Sequence, residues 1–452
     1  MKNKKMRKMK RRARMLAAAV VTSLLFCSAC GETKGDVKGD IKTDVSQNTE
    51  EVPEADSKSE ITKAALKTKD YPVTGEITGD LAAGINRLGL NIFAGLEAKE
   101  NQFFSPYSIS GALSILDIGA GGTTKEEMEE VLGIDDLSSW NMQMEAFLSK
   151  EWSEDTYLLT ANSLWANPGS EWAENVETDF FAPALFYYNC EVFEADFKNN
   201  LDTVSKQITA WVNKNTDGMI PDYKTASDKN TAMSIINAVF FEGKWEYPFK
   251  GKDTQADGSF RNAKGDWERD VPMMKQWNIT LGYFENDSFQ GVELPYKDST
   301  LVMDILLPKT DNIMDYHNLS LEEQEALWGQ FDTVQPKKLD TLMMPAFTMD
   351  LSIQGLPEIL KDLGMEKAFE PDADLDKIGP ERYVTDIAHR AKIEVCEEGT
   401  RAAAITEIVT NDACALKPIE VLEFIANSPF VYVIRDTKTG IILFLGQVTT
   451  LK

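Results

Sequence analysis

The chain has 452 residues, 43% apolar and 27% charged, enough to build a real core and unlike any collagenous, coiled-coil or broadly disordered chain. Its formal charge is −26. Nine positive and no negative charges fall in the first 14 residues, so the remainder stands at −35 and repels phosphate backbones, which argues against a nucleic-acid partner. Histidine occurs only at positions 317 and 389, and no H-E-x-x-H, G-x-S-x-G or G-x-x-x-x-G-K-[ST] segment is present, so ordinary zinc, hydrolase and nucleotide signatures are missing. No metal ligand set and no cofactor is expected.

In chain order, the basic start leads into an apolar stretch from Leu16 to Phe26. Eleven residues are too few to span a bilayer, which takes about 20, and this pattern reads as a signal peptide over 1–29. Cys27-Ser28-Ala29-Cys30 resembles a bacterial lipoprotein box, which implies a lipid anchor on Cys30 and a location on the outer face of the cell membrane. Cys27 stands where that box has Leu or a similar residue. Residues 30–72 are rich in Gly, Lys, Asp, Glu, Thr and Ser, without an aromatic before Tyr71, and read as a flexible tether. The folded domain is then 73–452. Within it the apolar spacing predicts a helix over 80–98, and Thr124 with Glu127 has capping-box spacing for a helix stopped by Gly133. A further helix is expected over 202–215, ended by Asp217-Gly218. Strands are expected over 233–241, 292–294, 301–307, 342–347, 430–434 and 441–445, the last two joined by a turn at 437–440. Helices early and strands late give an α+β domain.

Several segments, in one order, carry a family resemblance. Glu397-Glu398-Gly399-Thr400-Arg401-Ala402-Ala403-Ala404 resembles the hinge of the serpin reactive loop. Ahead of it, Phe104-Ser105-Pro106-Tyr107-Ser108, Ala161-Asn162-Ser163-Leu164-Trp165, Asn237-Ala238-Val239-Phe240-Phe241 and Asp386-Ile387-Ala388-His389 resemble serpin helix and sheet segments. After it, Ser428-Pro429-Phe430 and Phe444-Leu445-Gly446 resemble the last strands. The resemblance covers roughly residues 80–452. It implies the serpin fold: helices around a large central mixed sheet, further smaller sheets, and an exposed reactive loop. It also implies a non-enzyme, a cell-surface inhibitor of serine or cysteine endopeptidases. Such an inhibitor is cut as a suicide substrate and traps the protease by inserting the cut loop into the sheet. The alternative is a non-inhibitory serpin-fold chaperone or binding protein. Ser105, Ser108, Asn237 and His389 match the family's shutter beneath the sheet, and Trp245 its breach.

The loop also reads physically. From Thr400 to Thr410 the even positions are Thr, Ala, Ala, Thr, Ile and Thr, while Arg401 and Glu407 are odd. Strand side chains alternate faces, so an inserted strand buries the even set and leaves both charges in water. About a dozen added backbone pairings at roughly 0.5–1.5 kcal/mol net each amount to about 10 kcal/mol. Family spacing puts the reactive bond about fourteen residues beyond Gly399, between Ala413 and Cys414. A small residue there suits an elastase-like or subtilisin-like serine protease.

Overall fold

The computed structural model describes residues 71–166, 177–225, 227–231, 233–353, 355–379, 382–385, 387–400 and 422–452. Cys30, the signal and most of the tether, and Arg401, Ala402, Ala403, Ala404, Ala413 and Cys414 lie outside them. The strands in chain order are β1 (Gln102–Phe104), β2 (Thr156–Ala166), β3 (Cys190–Glu194), β4 (Met233–Lys244), β5 (Gln255–Arg261), β6 (Trp267–Glu285), β7 (Phe289–Pro295), β8 (Leu301–Pro308), β9 (Pro336–Pro345), β10 (Phe347–Ser352), β11 (Ile387–Val395), β12 (Gly399–Thr400), β13 (Glu423–Ile425), β14 (Phe430–Asp436) and β15 (Ile442–Val448). They form two sheets. A six-stranded mixed sheet has the order β10-β11-β12-β4-β2-β3, and a nine-stranded sheet runs β1-β15-β14-β8-β7-β6-β9-β13 with β5 on β6. Together with the helices this is the expected α+β architecture.

The helix Pro106–Gly119 is buried along all of its 14 residues, Ser108, Ser110, Ser114 and Asp117 included, and it packs against β4 of the six-stranded sheet. Ser105 caps it, accepting the Ser108 N–H at 3.1 Å. The opposite face of the sheet is covered by the helix Phe197–Asn215, whose Val204, Ile208 and Trp211 pack on Ala161, Trp165, Ile236, Ala238 and Phe240. β4 is therefore covered on both faces, which explains its unbroken apolar run.

Most expected elements are present, with three instructive differences. The helix Gly122–Leu132 ends at Gly133 in the left-handed conformation, but Thr124 and Glu127 do not form a capping box. Thr124 is buried and accepts the Asp374 N–H, and Glu127 accepts the N–H groups of Glu366 and Lys367, so tertiary donors took the place of local ones. The expected strand over 342–347 is two strands, β9 and β10, parted at Pro345-Ala346. The 19-residue β6 escaped prediction because it changes partner twice, from β5 to β9 to β7, with left-handed residues at Asp270 and Asn278 breaking its alternation. At the other end, Tyr71 and Pro72 belong with the folded body: the Tyr71 ring stacks on Phe186 at 5.0 Å, and the Pro72 carbonyl accepts from the Tyr187 hydroxyl.

Candidate functional site at the parting of the central sheet

β4 and β11 are the two walls of the site. At their lower end they pair directly and in parallel, Ile235 with Ile387 through Ala238 with Arg390. Here the structure brings together Ser105, Ser108, Asn237 and His389, all buried. The Ser105 N–H donates to His389 Nε2 at 3.0 Å, the Ser108 hydroxyl donates to Asn237 Oδ1, and Asn237 Nδ2 donates to Asn162 Oδ1 at 2.6 Å. Asn162 in turn donates to the Tyr188 carbonyl at 2.8 Å. Side-chain hydrogen bonds thus tie β2, β4 and β11 to the buried helix under the closed part of the sheet. Asn162 was readable only as part of a strand segment; nothing local marks it as a bridge.

At the upper end the walls part around β12. Thr400 pairs with Val395 on one side and Gly243 on the other, antiparallel to both, and Gly399 pairs with Lys244. Thr400 is 1% exposed, and its Oγ1 lies 2.7 Å from the Tyr296 hydroxyl. Tyr296 stacks on Trp245 at 4.7 Å with planes 15° apart. The Trp245 indole N–H donates to the Cys396 carbonyl at 3.0 Å and its backbone N–H to the Glu398 carbonyl at 2.9 Å. Glycine is required at two positions here. A Cβ on Gly399 would sit 2.2 Å from the Gly243 carbonyl oxygen, and one on Gly243 would sit 2.7 Å from the Phe241 and Tyr296 rings. Between the two ends, residues 239–242 and 391–394 have no ladder partner among the described residues on the side that faces the other wall.

Thr400 is already inside the sheet, held by Tyr296. Tyr296 carried no sequence signal of its own, because its role depends on a contact between residues 104 positions apart.

His389 supplies a pH dependence. Burial pushes its imidazole down to about 4 from the ordinary 6.5. The unfolded chain takes up a proton near pH 6.5 and the folded one does not until about 4, so this group's stability contribution is whole above 6.5 and is lost as pH falls through that window. Asp117 and Asp304, pushed up by burial to about 6 and about 7, act in the opposite sense. A comparison isolates His389: the excess unfolding free energy of the wild type over His389→Gln should shrink by about 3 kcal/mol between pH 7 and pH 4. A constant difference in denaturant titrations would overturn this.

A family model described as Serpin (serine protease inhibitor) matches residues 83–451. The chain is 32% identical over 392 residues to a serpin-like protein of Thermococcus kodakarensis, covering 85% of this chain and 89% of that one. It is 31% identical to the leukocyte elastase inhibitor of Bos taurus, covering 82% of this chain and 99% of the other. Among solved structures, the thermophilic serpin tengpin in its native state superposes with a TM-score of 0.72 at 26% identity, over 85% of this chain and 98% of that one.

Proposed function

The chain belongs to the serpin family, and from that premise we propose that it inhibits serine endopeptidases by offering the segment after Thr400 as bait and inserting it, once cut, between β4 and β11. One observation carries this reading. Gly399 and Thr400 form a two-residue strand between those walls, directly above a stretch where neither wall has a partner among the described residues. The residues that follow are small, apolar or hydroxylated on the face that would be buried, and an inhibitor needs that if insertion is to outrun deacylation. Family members that have lost inhibition often carry bulky or charged residues on that face of the hinge, and this chain has Thr400, Ala402 and Ala404 there. In this reading the Ser105–Ser108–Asn237–His389 cluster is the shutter that must part, and the Trp245–Tyr296 pair guards the breach. The similarity to leukocyte elastase inhibitors and the small Ala413 favour an elastase-like or subtilisin-like target.

The test is incubation with a panel of serine and cysteine proteases, denaturing gels for a stable complex, and mass spectrometry of the released peptide. The peptide should begin at Cys414; a start at Leu416 or beyond would displace the reactive bond. We also place the protein on the outer face of the cell membrane, lipidated on Cys30, on the strength of the basic start, the short apolar stretch and Ser28-Ala29-Cys30. Cys30→Ala should release it into the medium, and unchanged membrane association would exclude the anchor.

A further inference from the structure

The two walls keep one register from end to end. Ile387 and Ile235, His389 and Asn237, and, across Thr400, Val395 and Gly243 are each 152 positions apart. A strand continuing from Thr400 antiparallel to both walls needs no bulge, and every residue of it meets a defined pair. Ala402 comes opposite Phe241 and Ile393, and Ala404 opposite Val239 and Ala391, all core positions. Thr406 comes opposite Asn237 and His389. His389 Nδ1 is buried and has no hydrogen-bond partner among the described residues, and a hydroxyl arriving there would supply one.

The same register places Arg401 between Glu242 on β4 and Glu394 on β11. Both carboxylates belong to the face away from the main core: their neighbours Phe241, Ile393 and Val395 point into it. Glu242 is half-buried and accepts the Tyr157 hydroxyl at 2.9 Å, and Glu394 is exposed. Among the described residues no cation pairs with either. Neighbouring strands lie about 4.8 Å apart and directly opposed Cβ atoms about 5 Å, so a guanidinium between them reaches a carboxylate on each side.

We propose that Glu242 and Glu394 are a paired-carboxylate receptor for Arg401, occupied when the segment after Thr400 enters the sheet. This rests on the insertion reading above and revises one expectation: the odd face does not simply leave Arg401 in water but gives it two partners. It also makes Arg401 a positioning residue for insertion, acting after the cut and not on the chemistry of the cut.

The experiment compares wild type, Arg401→Glu, Glu394→Lys and the swapped pair Arg401→Glu/Glu394→Lys, each with a protease that cleaves the wild type. Two quantities are read: denaturant-stable complex per molecule cleaved, and the melting temperature of the cleaved form. Arg401→Glu should lower the first about fivefold and depress the second, with the rate of cleavage unchanged. The swap should restore both to within about twofold of wild type, and about 0.5 M salt should narrow the gap. Values for Arg401→Glu equal to wild type, or a loss that the swap does not repair, would overturn the receptor while wild-type complexes still stood for insertion. A wild type that neither forms complexes nor gains thermal stability on cleavage would overturn the insertion reading itself, and the receptor with it.

Discussion

Thr400→Arg should turn the protein from an inhibitor into a substrate, with cleavage at its normal rate and at least a tenfold loss of denaturant-stable complex. Thr400 is 1% exposed and bonded to the Tyr296 hydroxyl under the Trp245 ring stack. A guanidinium there would be an unpaired buried charge, at a cost of several kcal/mol, and each 1.4 kcal/mol is about tenfold in a rate or a ratio. The side chain escapes that cost only by leaving the sheet, taking β12 with it. The strand then has to nucleate between β4 and β11 where the wild type only has to extend. On the proposed mechanism acylation would fall well beyond the hinge and be untouched, so deacylation should win the race. Thr400→Ser keeps the hydroxyl and should retain most of the trapping; Thr400→Val keeps the shape, loses the bond to Tyr296 and should fall between the two. Undiminished complex from Thr400→Arg, measured as stoichiometry on denaturing gels, would rule out insertion from this end.

The alternation of small and charged residues after Gly399 was legible in the sequence, because strand parity is a local property. That Thr400 is already paired was not, since it depends on Gly243 and Gly399 lacking a Cβ where two backbones and the Tyr296 ring crowd together. The serine, asparagine and histidine side chains under the sheet could be picked out by their resemblance to a known cluster, and the structure brings those four together. Asn162 and Tyr188, which extend the same chain of bonds to β2, have no local mark. β4 read clearly because it is covered on both faces. β6 did not, because one strand serving three partners has no single periodicity. The failed capping box at Thr124 and Glu127 has the same origin: the side chains were suited to cap a helix, and donors from residues 366, 367 and 374 used them first.

Cleavage at Ala413–Cys414 without a trapped protease should raise the melting temperature by about 10 °C or more. The walls as described carry pairing partners for residues 401–408 on both sides, fewer than the fourteen that family spacing alone would insert. Insertion gives up the parallel pairing between 235–238 and 387–390 and gains pairing on both edges of the new strand. The net is on the order of 10 kcal/mol at roughly 1 kcal/mol per bond. A domain of about 380 residues unfolds with an entropy near 0.8 kcal/mol/K, so that gain moves the midpoint by about 10 °C. On the insertion reading the side chains would add to it: Ala402 and Ala404 would come opposite Phe241 and Val239, and Thr406 opposite His389, whose Nδ1 has no partner among the described residues. Cleaved Thr400→Arg should show little of this rise, since its strand cannot start. Scanning calorimetry of cut and uncut forms of both proteins separates the cases. Equal midpoints for cut and uncut wild type would mean that the stretch between 239–242 and 391–394 does not receive the loop.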